Sequence, residues 1–112
     1  MLTLYGIKNC DTVKKARKWL EAHDVDYQFH DFREDGLDKK ELNNWLEKLG
    51  WEAVVNKRST TWRNLSDKEK EISTNAEATK LLLANPTLIK RPLVVKNTTL
   101  LIGFKEAEFL TL

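Results

Sequence analysis

The sequence predicts an α/β fold in which a four-stranded mixed sheet, built from a βαβ half and a ββα half, carries a mostly helical insertion at residues 33–87. Three observations predict it. A short apolar run, a helical repeat and an alternating run succeed one another between Leu2 and Phe32. Helix-cap signals and apolar residues spaced by three and four fill the middle, and two short apolar runs flank a polar turn near the end.

Leu2 to Tyr5 is an apolar run closed by Gly6 and reads as the first strand. After the turn-like stretch Gly6-Ile7-Lys8-Asn9-Cys10-Asp11-Thr12, Val13, Ala16 and Leu20 describe one face of a helix with Cys10 at its entrance. From Val25 to Phe32 the chain alternates, placing Val25, Tyr27 and Phe29 on one face of a second strand. Strand, helix and strand within about thirty residues form a βαβ unit, whose crossover makes the two strands parallel.

Leu42, Trp45, Leu46 and Leu49 are the apolar face of a helix that Gly50 ends. Asp38 stands at its cap with Glu41 three residues on, and Leu37 is placed to staple onto Leu42. Ser66-Asp67-Lys68-Glu69 is a second capping box and predicts a short helix there. Asn75 is placed to cap another, running through Ala78, Leu81 and Leu82 and stopped by Asn85-Pro86. Leu93-Val94-Val95 and Thr99 to Ile102, on either side of Lys96-Asn97-Thr98, read as an antiparallel hairpin. Phe104 to Leu110 is expected to close the chain as a helix with Ala107 and Leu110 turned inward, and Trp62 is expected in the core.

A chain of 112 residues, 41% of them apolar and 32% charged, is expected to form one domain over residues 1–112. Nineteen basic residues against 17 acidic ones leave a net charge of +2, too small for a general nucleic-acid or anionic-membrane footprint. Lys14, Lys15, Arg17 and Lys18 read as the solvated face of the first helix. No apolar run approaches the roughly 20 residues that span a bilayer, and Met1 leads directly into the first strand without a signal segment, so a cytoplasmic location is expected. His23 and His30 fit no metal spacing, and no metal site is expected.

Cys10 is the only cysteine, so no internal disulfide staples the fold. Free cysteines are most often buried and structural. Here the flanks Lys8, Asn9, Asp11 and Thr12 are polar, which argues against a core position. A helix entrance has unpartnered N–H groups and the positive end of the helix dipole, both of which favour a thiolate; Lys8 adds to this and Asp11 opposes it. Cys10-Asp11-Thr12-Val13 occupies the place of a Cys-x-x-Cys motif with Val as its last residue, so a thiol reacting there needs an outside thiol, such as glutathione, to complete a cycle.

Three ordered motifs, Tyr5-Gly6-Ile7-Lys8-Asn9-Cys10-Asp11-Thr12, Asn56-Lys57-Arg58-Ser59 and Lys90-Arg91-Pro92-Leu93-Val94-Val95, stand near the start, in the middle and late in the chain. With them the sequence resembles the arsenate-reductase-like (ArsC/Spx) family of thioredoxin-fold proteins, most closely its YffB-type branch. The resemblance implies that Cys10 is the nucleophile, that Arg58 and Arg91 hold an anionic substrate group, and that Pro92 is a cis proline. It places Lys8 and Thr12 beside them as substrate- or glutathione-binding residues. Glutaredoxin-linked arsenate reductases of this family carry a third arginine just after the hairpin, where this chain has Leu101-Ile102-Gly103-Phe104. Two arginines suffice to grip a carboxylate or oxyanion by forked hydrogen bonds, but a three-arginine arsenate cradle is incomplete. Arg63 is expected to be structural.

The expected activity is that of a glutathione-linked thiol reductase with one nucleophilic cysteine, no bound cofactor, and glutathione as co-substrate. The alternative implied by the same resemblance is an Spx-like regulator or adaptor that binds a protein partner such as RNA polymerase.

Overall fold

A computed structural model describes residues 2–112. Its central sheet contains β1 (Leu2–Gly6), β2 (Tyr27–Asp31), β3 (Leu93–Lys96) and β4 (Thr99–Ile102) in the order β2-β1-β3-β4. β1 and β2 run parallel, with Leu4 opposite Phe29, while β1–β3 and β3–β4 are antiparallel. Helix α1 (Asp11–Ala22) makes the crossover between the parallel strands, as the βαβ reading requires. Asn97, with φ of 55°, sits in the left-handed region that a tight hairpin turn demands.

Two compact units emerge: the chain up to Asp35 together with Arg91–Leu112, and Gly36–Lys90. In the first, Leu2 and Leu4 of β1, Val13, Ala16 and Leu20 of α1, Val94 of β3 and Phe109 form a buried cluster. Val25, Tyr27 and Phe29 pack against it, which is the face that their alternation predicts. Strand β2 is shorter than the alternating run. Asp24, at φ 54°, and Val25 N–H bonding Leu20 O belong to the turn that ends α1.

The closing helix α6 (Glu106–Phe109) is one turn long and is rotated from the expected phase. Ala107 is exposed and Leu110 is 70% exposed, while Phe109 is buried. Aromatic packing sets that phase: Phe109 meets Phe104 edge-on at 4.9 Å and Trp19 at 5.5 Å, so the ring rather than the two aliphatic side chains enters the core.

The second unit holds α2 (Lys39–Leu49), α3 (Trp51–Val54), α4 (Thr60–Arg63), α5 (Asn75–Ala84) and a 3₁₀ turn at Pro86–Leu88. Leu42, Trp45 and Leu46 are the buried face of α2. Asp38 is at its N-cap, but the exposed carboxylate makes no hydrogen bond to the helix, and only its carbonyl engages, accepting from Leu42 N–H. Gly50, at φ 81°, ends α2 and leads directly into α3, a helix that periodicity does not reveal because it is one turn long.

Ser66 and Glu69 do form their reciprocal box, at 3.0 and 3.2 Å, yet it closes a turn and no helix follows. Residues 66–69 are all exposed, so an extended helix would bury no apolar face to offset its nucleation cost. The cap of α5 is Thr74, whose Oγ1 accepts from Glu77 N–H, rather than Asn75. Asn75 is otherwise engaged: its side chain accepts from Trp51 N–H and donates to Leu46 O, joining α5 to the α2–α3 junction.

Candidate active site

The turn that carries Cys10 is shaped by a close approach and a buried carboxylate. A Cβ on Gly6 would lie 2.7 Å from Val13 Cγ2, so only glycine lets the end of β1 come this near the first turn of α1. Ile7 is buried beneath the turn. Lys8 N–H then donates to Asp31 Oδ2 at 3.1 Å, which fastens the turn to the end of β2. Asp31 Oδ1 accepts from Arg33 N–H at 2.7 Å and Glu34 N–H at 3.3 Å.

Asp31 is only 3% exposed. Burial pushes its carboxyl pKa upward, but the N–H groups of Arg33, Lys8 and Glu34, aided by the Lys8 charge, outweigh it and hold the pKa below the usual aspartate value. The carboxylate is therefore a fixed acceptor that orders Lys8-Asn9-Cys10 and the chain leaving β2 together.

Cys10 occupies the N-cap of α1 in an extended conformation, φ −136° and ψ 120°, and its carbonyl accepts from Lys14 N–H at 3.0 Å. The Cys10 side chain makes no capping hydrogen bond to α1, whose first turn also carries the Asp11 carboxylate. The thiol is half-buried against the core cluster, which supports it from below. This combines the exposure and the structural support that sequence reasoning treated as alternatives.

Thr12 is exposed in the first turn of α1. Lys8 is exposed too, and its Nζ pairs with Glu34 at 2.8 Å; that hydrogen bond and charge raise the pKa of its ammonium. Its charge is thus partly answered within the protein. The Arg91–Pro92 peptide is cis, Pro92 is buried, and Pro92 O accepts from Gly103 N–H. Because Tyr5 lies opposite Leu93, the start of β3 with Arg91 and Pro92 falls at the same end of the sheet as the Cys10 turn.

Arg58 belongs to the Gly36–Lys90 unit, in the loop between α3 and α4. The loop leaves an antiparallel bridge between Val55 and Ile89, flanked by Asn56 N–H to Leu88 O and Lys90 N–H to Val54 O, both 2.8 Å. Asn56 Oδ1 accepts from Arg58 N–H at 3.0 Å, and Ser59 Oγ donates to Asn56 O while accepting from Trp62 N–H, capping α4. Arg63 Nη2 donates to Arg58 O at 3.0 Å. Trp62 is half-buried rather than core: its ring, like that of Trp51, lies within cation–π range of the Lys57 ammonium, at 5.5 and 5.2 Å.

Sequence reasoning missed Asp31 and Lys57. Asp31 was legible only as a polar residue closing an apolar alternation before Arg33-Glu34-Asp35, a pattern that fits an Asx-type turn. Among the described residues no group of three or more His, Cys, Asp or Glu side chains is placed to hold a metal ion, and no helix is long and apolar enough to cross a membrane. A cleft of about 270 Å³ lined by Lys39, Asn43, Ala76, Thr79, Lys80 and Leu83 contains none of the residues expected to function.

Comparison with known proteins places these features in a family. The ArsC family profile matches residues 5–112. The structure of the YffB protein superposes with a TM-score of 0.95 at 42% identity, covering 99% of this chain and 97% of the other. An arsenate reductase (ArsC) related protein from Brucella melitensis gives 0.79 at 44% identity, covering 98% and 92%. The global transcriptional regulator Spx of Streptococcus mutans is 34% identical over 110 residues, 96% of this chain and 80% of that protein.

Proposed function

The chain belongs to the ArsC family, and on that premise we propose that it is a glutathione-linked thiol reductase in which Cys10 is the nucleophile. The observation that carries the proposal is the half-buried Cys10 at the N-cap of α1, at the same end of the sheet as the cis Arg91–Pro92 peptide. Cys10 thiolate attacks the glutathionyl sulfur of a mixed disulfide, forming a Cys10–glutathione disulfide and expelling the other sulfur as a thiolate. A second glutathione thiolate attacks that adduct, yielding oxidised glutathione and restoring Cys10. One disulfide is reduced and one is formed, with glutathione the reductant and no bound cofactor required.

In this reading Arg58 and Arg91 hold the anionic part of the substrate, the carboxylates of glutathione being suited to forked hydrogen bonds. Pro92, Thr12 and Lys8 complete the surroundings of the thiol, with Lys8 tempered by Glu34. A cytoplasmic location, where glutathione keeps thiols reduced, fits such chemistry. Arsenate is a poor candidate substrate: Leu101 and Phe104, where a third arginine would be sought, pack on the core cluster. The test is turnover of a glutathione mixed disulfide. Cys10→Ser is expected to abolish it, and Arg58→Ala or Arg91→Ala to raise KM; activity that survives Cys10→Ser sinks the proposal.

A second reading is favoured by the 34% identity to the Spx regulator: a regulatory or adaptor protein that acts by binding a partner such as RNA polymerase. Capture of purified RNA polymerase by wild type and Cys10→Ser alike, without disulfide turnover, would favour it over the enzyme.

A further inference from the structure

Arg58 is exposed, yet both of its backbone polar groups are taken by side chains: Asn56 Oδ1 accepts from its N–H and Arg63 Nη2 donates to its carbonyl. Exposed backbone groups are already served by water, so such bonds gain little net stability and act chiefly by restricting conformation. Lys57, also exposed, directs its ammonium to Trp51 and Trp62 at 5.2 and 5.5 Å, engaging a charge adjacent in sequence to Arg58. Ser59 Oγ fixes the next residue by bonding Asn56 O and Trp62 N–H. Four successive residues are thus held by side-chain contacts in a loop whose Lys57 and Arg58 are both exposed.

From this we infer that Lys57 and Arg63 are positioning residues for Arg58: Lys57 through the two indoles, and Arg63 through the Arg58 carbonyl, hold the loop in one conformation before an anionic group arrives. The binding partner then orders only the Arg58 guanidinium and not the loop as well, which is the gain that preorganisation provides. The inference rests on the proposal that Arg58 holds the carboxylate of a glutathionyl substrate.

Two measurements separate its failure from the failure of that proposal. The first is hydrogen exchange across residues 56–60, expected to be about tenfold faster in Lys57→Met and near wild type in Lys57→Arg, which keeps a cation over the rings. Unchanged exchange in Lys57→Met overturns the clamp whatever Arg58 does. The second is a double-mutant cycle on turnover of the mixed disulfide of cysteine and glutathione. Lys57→Met is expected to raise KM about tenfold with kcat unchanged, and to add nothing once Arg58→Ala is present. An additive effect overturns the inference, because Lys57 would then act on substrate directly. An Arg58→Ala enzyme with wild-type KM and a Lys57→Met loop with fast exchange would instead refute the role of Arg58 and leave the clamp standing. Thermal melting of each variant checks that the fold is retained, and Lys57→Arg serves as the rescued control.

Discussion

Replacing Asp31 by Asn tests the carboxylate that fastens the Cys10 turn. The substituted amide keeps one acceptor oxygen and gains an NH₂ group. If the oxygen stays toward Arg33 and Glu34, the NH₂ faces Lys8 N–H, donor against donor; if it flips, the other two bonds are lost. Bonds to a charged acceptor contribute about 1.5–3 kcal/mol and neutral ones about 0.5–1.5, so losing the Lys8 bond and weakening the others costs about 2–3 kcal/mol at neutral pH. The pH dependence has a definite sign. Asp31 has a lowered pKa in the folded protein, so its contribution is present above the unfolded aspartate value of roughly 3.9 and is lost as pH falls through the folded value. Urea unfolding followed by tryptophan fluorescence should show the full gap between wild type and Asp31→Asn near pH 7 and a gap that narrows progressively as pH falls below the unfolded aspartate value. A variant within about 0.5 kcal/mol of wild type at neutral pH, or a gap undiminished in acid, would refute the reasoning.

Three further perturbations address the scaffold. Gly6→Ala places a methyl 2.7 Å from Val13 Cγ2 and should cost about 1–3 kcal/mol, part of which Val13→Ala recovers in the double variant; additive losses in thermal melts would contradict the close approach. Phe109→Ala should cost about 3–5 kcal/mol by emptying the space between Trp19 and Phe104, whereas Leu110→Ala should stay within about 0.5; comparable losses by urea denaturation would reverse the assigned phase of α6. Thr74→Ala should destabilise by about 1 kcal/mol through loss of the α5 cap, and a silent substitution in the same assay would show that the cap lies elsewhere.

Elements with a buried face long enough to repeat were legible in the sequence. Val13, Ala16 and Leu20 gave α1, Leu42, Trp45 and Leu46 gave α2, and the alternation of Val25, Tyr27 and Phe29 gave the inward face at β2. The one-turn helices α3 and α4 were not legible, being too short to show a period, while α6 falls within the expected Phe104 to Leu110 but takes its phase from ring packing that spacing does not encode. Cap residues were read one position off at α5 because Thr74 and Asn75 are both good caps, and only the need of Trp51 N–H and Leu46 O for partners assigns Asn75 elsewhere.

The site divides in the same way. Cys10 at a helix entrance and a proline before β3 follow from local sequence and the family resemblance. Asp31 works across 23 residues of separation, and Lys57 works on indoles from two different helices. Such pairings exist only once the chain is folded.

The central claim is that Cys10 is a nucleophile that exchanges with glutathione, and intact mass after incubation with oxidised glutathione tests it most directly. The account predicts a single glutathione adduct on wild type, removed by added reduced glutathione and absent from Cys10→Ser. A wild-type protein that stays unmodified under conditions where a small free thiol is fully converted would contradict it.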